Sequence, residues 1–209
     1  MKNLLYFGFV FICLFHFGTG TDLGDPDNRD STGCPKIFKG KCQCGRKQTY
    51  LWHPERNDTF VTNCTNQNFV EASMLRYLPN ETEVLVFVGN HITYLENNVL
   101  GMTQEHEVLK VIDMSNNRIE EITGKAFHKV RNVEILMLNH NNLKISGEMH
   151  HARILTNFYN LKELHLTNAF TEMVDSKYYL NDLADILMTA NAEGIKSLYK
   201  LHLEQNEIW

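Results

Sequence analysis

The chain has 209 residues, 43% of them hydrophobic and 11% aromatic, which is enough apolar material for one sizeable core and lies outside the composition of disordered segments. Its 20 basic and 25 acidic residues give a net charge of -5 and are scattered along the sequence. With no basic block to neutralise a run of phosphates, nucleic acid is excluded as a partner.

The first element, residues 1–20, is expected to be a signal peptide. Lys2 gives a positive start, Leu4 to Phe17 is nearly all apolar, and Gly18, Thr19 and Gly20 supply small residues for cleavage. The apolar run is shorter than the ~20 residues that cross a bilayer, which favours a cleaved leader over an anchor. No later segment is long and apolar enough to span. Residues 21–32 follow as a flexible N-terminal segment, and residues 33–80 as a cysteine-rich cap.

Loss of the leader removes Cys13 and leaves Cys34, Cys42, Cys44 and Cys64, an even set at the start of the mature chain. An even set in an oxidising compartment predicts two disulfides. Zinc is the weaker alternative, because Cys42-x-Cys44 lacks the Cys-x-x-Cys spacing usual in tetrahedral sites. The sequons at Asn57, Asn63 and Asn80, with Thr59, Thr65 and Thr82, mark candidate glycosylation sites on the cap or at the first repeat. Asn63 is the least favourable acceptor, since its neighbour Cys64 would be tied down.

From residue 81 onward one template, L-x-x-L-x-L-x-x-N-x-L, recurs. Its copies read Thr82, Leu85, Phe87, Asn90, Ile92; Leu109, Ile112, Met114, Asn117, Ile119; Val133, Leu136, Leu138, Asn141, Leu143; Leu161, Leu164, Leu166; and Leu198, Leu201, Leu203, Asn206, Ile208. The fourth copy is degenerate, with Ala169 in the asparagine position and Thr171 in an apolar one. The L-x-L pair alternates with polar residues, as a strand with one buried face must, and the asparagine amide can bond turn backbone. A single repeat cannot bury its apolar face alone, so the copies must stack into a solenoid. The expected fold is therefore α/β, a right-handed horseshoe whose parallel β-sheet lines the concave side. Asn90, Asn117, Asn141 and Asn206 are structural in this reading.

Residues 81–209 thus hold five repeats, with a helical insertion near 172–195 in the longest interval. Leu180, Leu183, Ala184, Leu187 and Met188 recur at helical spacing, and Gly194 suits a helix end, so Asn181 to Glu193 is expected to form a helix on the convex side, with Asn181 at its cap. The chain stops at Trp209 inside the fifth copy, without a C-terminal cysteine cap, so it is expected to be truncated at that end.

Three template positions are expected to project onto the concave face, and nine residues on them are assigned to partner binding: Val86, Val88, Asp113, Asn116, Met137, Asn139, His140, His165 and His202. Val86, Val88 and Met137 would form a small apolar hot spot with a polar rim. His165 and His202 fall on adjacent strands about 5 Å apart, close enough to share a zinc ion or to repel when protonated. Two ligands do not make a metal site, so no metal, cofactor or small-molecule substrate is predicted. A secreted hydrolase would have to rely on Asp113, Ser115, His140 and His165. No G-x-S-x-G or H-E-x-x-H motif supports it, and an open concave sheet excludes water poorly.

The Cys34-Pro35 start, Cys42-x-Cys44, Cys64 and the following repeats resemble the cysteine-capped extracellular leucine-rich-repeat proteins. That resemblance covers Gly33 to Trp209 and implies pairing of Cys34 with Cys44 and of Cys42 with Cys64. From Leu161 onward, L-K-E-L-H-L, a polar excursion, an Ala/Leu-rich helix and L-Y-K-L-H-L-E-Q-N look like the trophoblast glycoprotein branch, single-pass cell-surface glycoproteins that modulate Wnt signalling. The resemblance implies a non-enzymatic protein-recognition module of the secretory pathway. Its expected partner is an extracellular or membrane protein, a Wnt-pathway component in the leading reading and a matrix or adhesion partner in the alternative. Cell-surface residence requires a missing C-terminal part to supply a membrane span; otherwise the chain is secreted.

Overall fold

The computed structural model describes residues 28–47, 58–102, 105–145, 153–171, 176–193 and 195–206. The expected signal peptide, most of segment 21–32, the sequon residue Asn57 and the end of the fifth repeat lie outside them. Seven strands form the main sheet: β1 (Gln43–Lys47), β2 (Thr59–Asn63), β3 (Val84–Val86), β5 (Val111–Asp113), β7 (Ile135–Met137), β8 (Glu163–His165) and β9 (Lys200–His202), in that spatial order. Two short strands, β4 (Tyr94–Leu95) and β6 (Glu121–Ile122), pair separately on the returning limbs. Only β1 and β2 are antiparallel; every later neighbour in the main sheet is parallel. Parallel neighbours need a long crossover, and here each crossover is the remainder of one repeat.

The register runs without a slip. Thr62, Leu85, Ile112, Leu136, Leu164 and Leu201 stand side by side, and Leu85, Ile112, Leu136 and Leu164 are buried in the main core. Strand alternation sends the residues on either side of each to the concave face. Truncating one of these core leucines to alanine costs about 2–5 kcal/mol, the usual range for a buried leucine. Leu201 breaks the pattern at 39% exposure, because no strand follows β9 among the described residues.

Asparagines close the turns. Asn141 Nδ2 donates to the carbonyls of Met114 (3.1 Å) and Leu138 (2.9 Å), and its Oδ1 accepts the Ile119 N–H (3.0 Å). Asn206 repeats the arrangement with Leu166, Leu203 and the Ala169 N–H, and Asn90 bonds Cys64 and the N–H groups of Gln67 and Phe69. Buried backbone groups at each turn thereby keep partners. At the degenerate repeat the backbone substitutes: the Leu143 N–H donates to the Ala169 carbonyl (2.8 Å), and Leu143 forms a parallel bridge with Phe170.

The cap joins the same solenoid. Disulfides Cys34–Cys44 and Cys42–Cys64 tie the chain before β1 to β1 and to the end of β2. These are the two pairs implied by the resemblance. Gly33 is required here: its φ is +78°, and a Cβ would lie 2.3 Å from the Cys44 carbonyl oxygen. Thr82, in the first apolar position of the template, is buried because its hydroxyl bonds that of Thr62 (2.9 Å).

The helical insertion differs from its expected outline. Helix α1 (Ser176–Glu193) begins at Ser176, and Asn181 is an exposed residue inside it rather than a cap. No Gly or Pro separates Ser176 from Asn181, so nothing local stops the helix from starting earlier. Its buried stripe is Leu183, Ile186 and Ala190 with Leu187 alongside, while Ala184 and Met188 face out. Leu183 and Ile186 share an apolar recess with Ile154, Leu155, Leu166 and Phe170, so the helix covers the core on the side opposite the main sheet.

Candidate recognition surface

Two residues per strand face the concave side. The first column is Val61, Val84, Val111, Ile135, Glu163 and Lys200; the second is Asn63, Val86, Asp113, Met137, His165 and His202. Only the second column is among the three template positions expected on this face, although period-two alternation places the residue two earlier there as well. The apolar members Val61, Val84, Val86, Val111, Ile135 and Met137 form their own buried cluster, separate from the main core, with Val88 partly buried against it. The expected hot spot therefore needs a correction. Val86 and Met137 are nearly fully buried, and Val88 keeps part of its surface open. Asp113 and Asn139 are half-buried and committed to backbone, Asp113 accepting from the Ser115 N–H and Asn139 from the Thr167 N–H, both at 2.9 Å.

Asn116 and His140 are exposed, but they stand where the chain turns away from the sheet. Gly89, Asn116, His140, Asn168 and Gln205 occupy one template position and all have φ between +47° and +69°. Asparagine and glycine tolerate this left-handed conformation best. At Gly89 a Cβ would lie 1.9 Å from Asn66 Oδ1, so any other residue there would have to displace the Asn66 side chain. This column lines one rim of the face. Asn168 Nδ2 and His140 Nδ1 meet there at 3.3 Å.

Strands β8 and β9 carry a polar cluster. His165 and His202 are stacked, with ring centroids 4.2 Å apart and planes inclined by 15°. His165 Nε2 lies 3.2 Å from Glu163 Oε2, Lys200 Nζ donates to Glu163 Oε1 at 2.8 Å, and His202 Nδ1 lies 3.1 Å from Glu204 Oε1. Burial lowers the pKa of His165 more than the bond to Glu163 restores it, so the ring is neutral at physiological pH. Burial alone would raise Glu163, yet the bonds from Lys200 and His165 together hold its carboxyl below the ordinary value. Glu204 is held at about 2, first by a backbone hydrogen bond and then by Thr167 and His202.

Of the hydrolase candidates, Ser115 Oγ is buried and has no hydrogen-bond partner among the described residues. Asn63, a candidate glycan acceptor, uses its Oδ1 to accept from the N–H and hydroxyl of Thr65, whereas Asn80 is exposed.

Residues 107–157 match the family described as Leucine rich repeat. The repeats are leucine-rich repeats. The leucine-rich-repeat chain is 32% identical to human lumican over 111 residues, which is 48% of this chain and 31% of lumican, and 31% identical to bovine lumican over 111 residues, 48% of this chain and 30% of that protein. The chain spans about a third of these curated relatives. Among solved structures, human trophoblast glycoprotein (Wnt-activated inhibitory factor 1) superposes with a TM-score of 0.57 at 19% identity, covering 78% of this chain and 52% of that one. That likeness shows a shared leucine-rich-repeat solenoid.

Proposed function

We propose that the chain is an extracellular or cell-surface recognition module that holds a protein partner on its concave face and acts on Wnt signalling. The observation that carries this reading is the unbroken register of β2 to β9, which sets Val86, Asp113, Met137, His165 and His202 side by side on one surface before any partner arrives, with Val88 and Asn139 two residues beyond the ends of β3 and β7. A preformed surface loses little conformational entropy on binding. Asn116 and His140 would contribute from the rim, while Val86 and Met137 support the surface from below. Two disulfides suit the secretory pathway, and no helix among the described residues is long and apolar enough to cross a membrane. The solenoid shared with trophoblast glycoprotein supports the Wnt reading. Similarity to lumican supports matrix binding or adhesion as the second reading. Leader cleavage, and glycosylation at Asn57, Asn63 and Asn80, belong to the same proposal.

The test is a binding screen of the secreted chain against Wnt-pathway and matrix proteins, repeated with Val88→Asp and with Asn139→Ala. Binding to a Wnt-pathway protein that Val88→Asp weakens by about tenfold or more, the scale of one interface contact worth 1.4 kcal/mol, supports the leading reading. Binding only to matrix proteins transfers the function to the second reading. Binding indifferent to both variants removes the concave face from the proposal.

A further inference from the structure

We propose that Glu163, His165 and His202 form a zinc-binding site on the concave face. Their donor atoms, one carboxylate oxygen and two imidazole nitrogens, all lie within 4.8 Å of one another. The sequence brought together only the two histidines, as equivalent residues of β8 and β9. Strand alternation adds Glu163 to the same face two residues before His165, and its Oε2 is already 3.2 Å from Nε2 of His165. Among the described residues, no other group of three such side chains meets this spacing.

The surroundings favour coordination. His202 turns Nδ1 to Glu204, so that with the hydrogen on Nδ1 the lone pair sits on Nε2, the carboxylate–histidine arrangement that orients metal-bound imidazoles. Glu204 is itself fixed by Thr167 Oγ1 at 2.8 Å. Lys200 engages Oε1 of Glu163 and leaves Oε2 toward the histidines. The metal would take the place of the proton between Nε2 of His165 and Glu163, and that proton moves to Nδ1. Two nitrogens and one oxygen suit Zn²⁺, whereas Ca²⁺ and Mg²⁺ demand a shell of oxygens. Three protein ligands leave a fourth position for water or for a donor from outside the chain. Binding of the ion does not depend on whether the face holds a protein partner.

The test uses the full chain secreted from cultured cells, purified without a histidine tag and titrated with Zn²⁺ in competition with a chromogenic chelator. Co²⁺ absorption reports the coordination geometry. One ion per chain is expected, with tetrahedral Co²⁺ bands and no competition from Ca²⁺ or Mg²⁺. His202→Asn should abolish these bands, and Glu204→Gln should weaken affinity by about 10-fold, the low end for a group that orients a ligand. Both alter a partly exposed surface, so secretion and thermal melting should match the parent. Replacing His150 and His151, which are consecutive in the sequence, by alanine should change nothing. The proposal is overturned if no ion binds, if His202→Asn binds as the parent does, or if the His150/His151 variant loses the ion.

Discussion

Strands β3, β5 and β7 and strands β8 and β9 belong to one sheet in one register, yet their concave surfaces differ in kind. The first group presents Val84, Val86, Val111, Ile135 and Met137, packed into a buried cluster beside Asp113; the second presents Glu163, His165, Lys200 and His202, more open and linked by the Lys200–Glu163 ion pair and the His165–Glu163 hydrogen bond. The middle residues of β3, β5, β7 and β8 point into the core, and the solenoid constrains them tightly. The flanking residues are under no such constraint, so the same backbone can support a hydrophobic patch at one end and a titratable one at the other.

The largest test of this contrast compares matched positions. Val111→Asp places an unpaired carboxylate in the apolar cluster and should lower stability by at least about 3 kcal/mol, whereas Lys200→Ala in the same column should stay within about 0.5 kcal/mol. Chemical denaturation of the two variants checks this, and equal losses would dissolve the distinction.

A smaller effect is expected where both halves rely on the same turn. Asn141→Ala removes three buried hydrogen bonds and should cost about 2–3 kcal/mol, measured as a shift in the denaturation midpoint. The Ala169 repeat shows how a turn survives without the amide, by lending its own carbonyl to Leu143. A loss below about 0.5 kcal/mol would mean that the turn at Asn141 can adopt the same remedy.

The smallest effect sits on the boundary. Glu134 accepts from Lys162 (2.8 Å) and pairs with Lys110 (3.3 Å), linking the residues that precede β8 and β5. Burial opposes ionisation of Glu134, but the two lysines outweigh it and hold the pKa below 4.5. A lowered carboxyl stabilises the fold above its unfolded value and loses that contribution as pH falls through the folded one. Glu134→Gln should therefore reduce stability by less than about 1 kcal/mol at neutral pH. Melting curves of parent and variant should begin to converge as pH falls through about 4, the reference range of a free carboxyl, and meet only below the lowered folded value. A constant gap across that range would remove the ion pair as the cause.

Much of the fold was legible because the template repeats its physics. The L-x-L alternation and the asparagines specify strands, core and turns independently of what lies above the sheet. The burial of Val86 and Met137 was not legible, since it depends on how side chains of neighbouring strands pack against one another rather than on strand period. Glu163 was missed for another reason: its signal, the E-L-H alternation, was present, but it stands two residues before His165, outside the three template positions expected on the concave face. The start of α1 escaped because no residue between Ser176 and Asn181 announces a boundary.

The crossover from β8 to β9 includes the whole of α1, yet Glu163, Leu164 and His165 still pair with Lys200, Leu201 and His202 as if the two repeats were of ordinary length. Length on the convex side is thus decoupled from spacing on the concave side. For protein engineering, the exposed side of α1 is the natural place to graft, provided that Leu183, Ile186 and Ala190 keep covering the core, because changes there need not propagate into the concave sheet. The same separation lets related chains diversify their outer contour while preserving the distances across which an inner surface is read.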